Sequence, residues 1–213
     1  MNILFDLDGT ITDPMLGITN SVIYALKRYG IEVTDRRELY KFIGPPLAES
    51  FSRYYGFSKN EGHKLVEVYR EYFSDKGLYE NEVYDGVEKM LNNLKGEGHK
   101  IYLATSKPQI FAEKILEHFG LSKYFDGVCG SELNGDRVEK SEVIACLKDR
   151  YSIKDGVMVG DRSFDILGAK ANDLISVGVL YGYGEQSELD GAGADYLVEN
   201  VHDLEKVLNN LGR

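Results

Sequence analysis

Residues 3–14 read ILFDLDGTITDP. An apolar run meets an aspartate, skips one residue, meets a second, and then turns on glycine. Short runs rich in Ile, Leu and Phe without polar alternation predict a strand covered on both faces, here over residues 2–7. Side chains two apart on a strand point the same way, so Asp6 and Asp8 are expected together at its carboxyl end. Gly9 lets the chain turn away and Thr10 adds a hydroxyl. Open parallel sheets collect ligands at that end. Two like charges converging there raise one carboxylate's pKa unless a cation holds both ionised, and a hard, oxygen-seeking ion such as Mg²⁺ is the natural candidate. An Asp-Gly hairpin turn is the ordinary alternative. A calcium loop is not, because Thr10, Ile11 and Gly17 stand where it needs an acid or amide, a glycine and an acid.

Further strands are expected at 100–105, 125–129, 156–160 and 175–180, with amphipathic helices between them. That alternation predicts the α/β class and a parallel, doubly wound sheet. Residues 14–82 break the rhythm with helical patterns alone. The expected organisation is therefore a core of 1–13 and 83–213 with an inserted helical domain at 14–82. Asp13-Pro14 suits a helix entry, Asp as N-cap and Pro in the first turn. YGYGE at 181–185 does not complete a GxGxxG fingerprint and reads as a flexible loop near the mouth of the site.

The 213 residues carry a formal net charge of −10, which argues against nucleic acid as a partner. No apolar run is long enough to span a bilayer, and no basic region leads into an apolar segment at the N-terminus, so no membrane and no signal peptide are expected. Cys129 and Cys146, without a CxxC pairing, fit a reducing cytoplasm. The four histidines are scattered without metal-ligand spacing.

Three more stretches bear on chemistry. In GDRSFD (160–165), Asp161 sits at a strand end as Asp6 does, and Asp165 lies four residues on, one helix face away. Asp161 as a plain helix cap is the alternative, but four acids at two strand ends are explained together by a divalent metal. In ATSKP (104–108), Thr105 and Ser106 lie where a strand gives way to a helix start, a phosphate-binding corner to which Lys107 adds charge. Lys140, just before a helical stretch, is the candidate for neutralising a phosphoryl group.

Asp6-x-Asp8-Gly9-Thr10, Thr105-Ser106, Lys140 and Gly160-Asp161-x-x-x-Asp165 arrive in that order. The whole chain resembles the haloacid-dehalogenase-like superfamily, with a helical insertion similar to the small cap of its phosphoglycolate-phosphatase-like branch. The resemblance implies a Rossmann-like α/β core with an inserted all-α cap, and a Mg²⁺-dependent phosphatase of small soluble phosphomonoesters. Asp6 would be the nucleophile and form an aspartyl-phosphate. Asp8 would be the general acid and then the base. Mg²⁺ would be held by the Asp6 carboxylate, the Asp8 backbone carbonyl and Asp161, with Asp165 helping. Gly9, Thr10, Thr105, Ser106 and Lys140 would bind the phosphoryl group. Relatives often have proline after the lysine, whereas Ser141 stands here, so Arg137 is a second candidate cation. A phosphoglycolate-like ester is the substrate expected first; a 5'-nucleotidase acting on nucleoside monophosphates or a pyrophosphatase is the alternative, a sugar phosphomutase a further one, and a non-enzymatic phosphate sensor is disfavoured because all four acids are present. KFIGPPLAES (41–50) is the cap stretch expected to reach the site, while Lys41 and Arg53 sit in helical patterns where solvated charge is the default.

Overall fold

The run Ile3-Leu4-Phe5 is fully buried because it lies at the centre of a parallel sheet, between strands that are themselves apolar. The computed structural model describes residues 1–134 and 136–212. In chain order the strands are β1 (Asn2–Phe5), β2 (Thr12–Asp13), β3 (Glu82–Val83), β4 (Lys100–Pro108), β5 (Gly127–Ser131), β6 (Val157–Gly160), β7 (Ile175–Val179) and β8 (Tyr196–Val198). Six of them form one sheet in the order β5-β4-β1-β6-β7-β8, every pairing parallel. The chain runs outward from β1 to β4 and β5, then crosses back to β6, β7 and β8 on the other side. The order therefore reverses at β1, where open α/β sheets bind ligands.

Register aligns the strand ends. Phe5 pairs with Leu103 on one side and Val159 on the other. Asp6 and Asp161, just past their strands, and Thr105, within β4, consequently lie together at the carboxyl end of the sheet.

The chain divides into two compact units, Met1–Asp13 with Val83–Arg213, and Pro14–Glu82. The second contains α1 (Met15–Arg28), a 3₁₀ turn at Arg36–Phe42, α2 (Leu47–Tyr55) and α3 (Lys59–Tyr72). Phe42, Phe51, Leu65, Tyr69 and Phe73 are buried within it. Ser58 and Glu61 form a reciprocal capping box that starts α3. The first unit adds α4 (Val87–Gly96), α5 (Gln109–His118), α6 (Lys140–Tyr151), α7 (Ser163–Ala171), α8 (Gln186–Ala192) and α9 (Val201–Leu211). No helix among the described residues is long and apolar enough to cross a membrane.

Several local expectations are corrected. β1 stops at Phe5, so Asp6 and Asp8 occupy a loop and not strand positions. α1 begins at Met15 after Pro14 with no side-chain cap, because the Asp13 carboxylate is taken by the Tyr183 hydroxyl. α3 ends at Tyr72 and widens into a π turn over Phe73–Gly77. β8 and α8 carry too few residues to show a period.

Leu4 lies in a cluster with Tyr102, Ala104, Ile144 and Met158. Leu4→Ala is expected to lower unfolding free energy by about 3 kcal/mol, transfer and cavity terms together. Urea unfolding measures it, and a loss under about 1 kcal/mol would contradict the packing described.

Candidate active site

The loop after β1 is tied to its neighbours by backbone. Asp6 N donates to Val159 O at 2.9 Å, and Leu7 N donates to Asp6 Oδ1 at 2.7 Å. The amides of Thr10, Ile11 and Thr12 all point at Leu7 O, at 3.2, 2.9 and 3.0 Å. Gly9 holds φ +80°, and a Cβ there would lie 2.1 Å from Asp161 Oδ2. Glycine is thus required twice, for the left-handed backbone and for the close approach of the carboxylate.

Asp161 follows β6 directly and is 1% exposed. Its Oδ2 accepts the Tyr183 amide at 2.8 Å. Its Oδ1 is buried without a hydrogen-bond partner among the described residues. Asp165, in the first turn of α7, accepts the Arg162 amide at 3.1 Å. Asp165 therefore caps this helix and Asp161 does not.

Lys140 is the first residue of α6. Its Nζ lies 2.8 Å from Asp6 Oδ1 and 2.8 Å from Asp165 Oδ1, and donates to Ala104 O at 3.0 Å. One ammonium thus joins elements from four parts of the chain. Asp6, Asp161 and Asp165 each present a carboxylate oxygen within 4.8 Å of the others. Asp8 is turned elsewhere: its Oδ2 lies 2.6 Å from Lys107 Nζ, both side chains nearly buried.

Charge in this pocket does not balance. Among the described ion pairs, Asp6, Asp8 and Asp165 meet two ammoniums, Lys107 and Lys140, while the Arg162 charge that acts on Asp161 is itself paired with Glu188, leaving four carboxylates against two ammoniums. Burial, then the neighbouring Asp165 and Asp6 charges, push the Asp161 carboxyl well above the usual carboxylate range. Burial pushes Asp165 up to about 6 even with Lys140 opposing it. Burial also raises Asp8, with Lys107 pulling the other way. Burial alone would lower the Lys140 ammonium, but the Asp165 and Asp6 carboxylates outweigh it and raise its pKa. A surplus of two negative charges, all-oxygen donors and the unpartnered Asp161 Oδ1 fit a hard divalent cation such as Mg²⁺.

The remaining residues named from sequence are distributed as follows. Thr105 is buried and its Oγ1 accepts the Lys107 amide at 3.2 Å. Ser106 O accepts the Ser131 hydroxyl at 2.8 Å. Thr10 Oγ1 is buried without a partner among the described residues. Arg137 is directed to the sulfur of Cys146, at 2.8 Å, while Lys140 sits among the acids.

Two contributors escaped sequence reasoning. Lys107 was given only a general positive charge, yet it is the partner of Asp8. YGYGE is not a flexible loop: Tyr181 donates to Thr10 O at 3.0 Å, Tyr183 donates through its hydroxyl to Asp13, and its amide fixes Asp161. A Cβ on Gly182 or Gly184 would lie 2.4 Å from Asp161 Cβ or 1.8 Å from Asp161 O. The alternation of tyrosine and glycine was the signal: bonding groups separated by residues with no side chain.

Residues 3–179 match the family of haloacid dehalogenase-like hydrolases, and the chain belongs to it. It is 44% identical over 211 residues to a 5'-nucleotidase of Pseudomonas aeruginosa, covering 98% of this chain and 96% of that protein. It is 35% identical over 190 residues to the tyrosine-protein kinase PtkA of Mycobacterium tuberculosis, 88% of this chain and 65% of that protein. Its fold matches the crystal structure of a predicted phosphatase from Clostridium acetobutylicum with a TM-score of 0.96, 46% identity and 98% of each chain covered.

In the ion-free chain Asp165 keeps its proton up to about 6, against roughly 4 for an unfolded aspartate. That difference stabilises the fold fully below the unfolded value and is lost as pH rises through the folded one. A bound cation takes the proton's place above it. Mg²⁺ is therefore expected to raise the melting temperature clearly near pH 7.5 and much less near pH 5, in thermal unfolding with metal and with chelator. An equal shift at both, or none near 7.5, would contradict a cation held by these acids. Lys140→Met leaves Asp6 and Asp165 buried without their shared ammonium and is expected to cost about 3 kcal/mol, partly restored by Mg²⁺. Urea midpoints with and without the ion test this; an unchanged midpoint would rule it out.

Proposed function

We propose that the chain is a Mg²⁺-dependent phosphatase that hydrolyses small soluble phosphate monoesters through an aspartyl-phosphate at Asp6, with nucleoside monophosphates as the leading substrate class. It is a phosphoric monoester hydrolase of the haloacid dehalogenase-like type. The observation that carries the reading is the meeting of Asp6, Asp161 and Asp165 around Lys140 at the sheet's switch point. The substrate class is favoured by the likeness to the Pseudomonas enzyme over nearly the full length of both chains.

Asp6 Oδ1 is occupied by the Leu7 amide and Lys140, which leaves Oδ2 to attack phosphorus. The phosphorus–alkoxide bond breaks, and Asp8 delivers its proton to the leaving oxygen. A carboxyl raised by burial keeps that proton closer to neutral pH, as a general acid requires. Water then attacks the aspartyl-phosphate while Asp8 takes its proton, and the bond to Asp6 breaks. Lys140 holds Asp6 in place and, with Thr10, Thr105 and Ser106, binds the phosphoryl group. Asp6, Asp161 and Asp165, with the Asp8 carbonyl, would hold Mg²⁺, which would supply charge stabilisation for the transferring group. The helical unit Pro14–Glu82 acts as the cap that selects the leaving group.

Phosphate release from nucleoside monophosphates, phosphoglycolate, sugar phosphates and pyrophosphate, with Mg²⁺ and with chelator, tests the reading. Turnover is expected with metal alone, to fall by about four orders of magnitude in Asp6→Asn and about a thousandfold in Asp8→Asn. A folded chain that binds Mg²⁺ but releases no phosphate from any of them would refute it.

A further inference from the structure

The two cysteines are brought together by the fold. Cys129 on β5 and Cys146 on α6 meet in the apolar layer between sheet and helix, beside Ala104, Val143 and Leu147. Their Sγ atoms are 2.7 Å apart, about 0.7 Å beyond the length of a disulfide bond. Two small side chains meeting in a core need no explanation beyond packing.

The guanidinium beside them does. Arg137 Nη1 donates to Cys146 Sγ at 2.8 Å and lies 3.9 Å from Cys129 Sγ, while Nη2 donates to Glu132. Arg137 holds φ +54°, a left-handed backbone that arginine rarely adopts. Its Nε is buried without a partner among the described residues. A strained backbone and a partly desolvated guanidinium thus place a positive charge against the Cys146 sulfur while pairing with Glu132. Burial, with the Cys146 contact adding to it, pushes the Cys129 thiol up to about 12. Cys146 is half-buried and Cys129 fully buried, so a small oxidant meets Cys146 first.

We infer that Cys129 and Cys146 form a reversible modification site, oxidised to an intramolecular disulfide by hydroperoxides. The Cys146 sulfur gives up its proton and attacks one peroxide oxygen, the O–O bond breaks, and Cys146 becomes a sulfenic acid as the departing hydroxide takes up that proton. Cys129 sulfur then attacks the Cys146 sulfur, gives up its proton, and expels the sulfenic oxygen as water. Two thiols and one hydrogen peroxide yield one disulfide and two waters, and a dithiol reductant reverses the change. Arg137 acts through its Nη1 contact, which places a positive charge 2.8 Å from the sulfur that is oxidised first. The new bond ties β5 to α6, the helix whose first residue is Lys140.

The test is intact-mass and thiol analysis of the reduced full chain treated with a small excess of hydrogen peroxide. A monomer lighter by about 2 Da, both thiols lost and a Cys129–Cys146 linked peptide restored by dithiothreitol are expected. Cys129→Ser should stop at a sulfenic acid on Cys146 that a dimedone probe captures. Arg137→Gln should slow oxidation about tenfold, with Arg137→Lys slowing it less. Two thiols surviving in folded protein, sulfinic acid without cross-linking, or linkage only between molecules would overturn the proposal. A rate unchanged in folded Arg137→Gln would overturn the role of the arginine.

Discussion

The Lys140 ammonium is shared by Asp6 and Asp165 and capped by Ala104 O, and much of the core unit is arranged to allow it. Desolvating a lysine costs several kcal/mol before any partner is counted. Two carboxylates within 2.8 Å more than offset that for the lysine, since its pKa is raised against the pull of burial. The helix delivering it is anchored independently, with Val143, Ile144 and Leu147 fully buried against the sheet. Gly168 on α7 completes the fit, because a Cβ there would lie 2.9 Å from Lys140 Cγ. Apolar packing thus holds in place an electrostatic arrangement that would not assemble by itself.

Space around Asp161 is regulated in the same way. Gly9, Gly182 and Gly184 all approach it more closely than any side chain allows. With Gly9 and Gly182 against its side chain, Gly184 against its carbonyl and the Tyr183 amide on Oδ2, the carboxylate has little freedom to turn, and Oδ1 has no hydrogen-bond partner among the described residues. A buried acceptor left unsatisfied is unfavourable in the isolated chain. Its rigid placement is what a preorganised cation ligand requires.

The acids and Lys140 were legible because each follows a local rule: an aspartate directly after a buried strand, an acid in the first turn of a helix, a lysine at a helix start. The sheet was legible for the same reason, as uninterrupted Ile, Leu and Val runs separated by amphipathic segments. The Asp8–Lys107 pair was not, because it joins residues far apart in sequence and depends on the irregular register of β4 between Ala104 and Pro108. Asp13 obeyed a helix-cap rule and was misread, since a tyrosine hydroxyl from the distant 181–185 loop outcompeted the helix amides. Local propensity decides where a carboxylate stands. Long-range packing decides which partner it takes.

On the proposed reading, charge also explains how one carboxyl serves as acid and then base. The four acids and two lysines leave two negative charges, which a divalent ion would cancel. A phosphate monoester then brings about two more, into a pocket whose low dielectric strengthens every pair. That added charge opposes ionisation of Asp8 and keeps its proton in place until the alkoxide leaves. Once the phosphoryl group is bonded to Asp6 and the proton has gone with the alcohol, the Asp8 carboxylate remains beside Lys107, poised to take a proton from water. Lys107 opposes the rise that burial gives the Asp8 carboxyl, so the same group is pulled toward both the protonated and the ionised form.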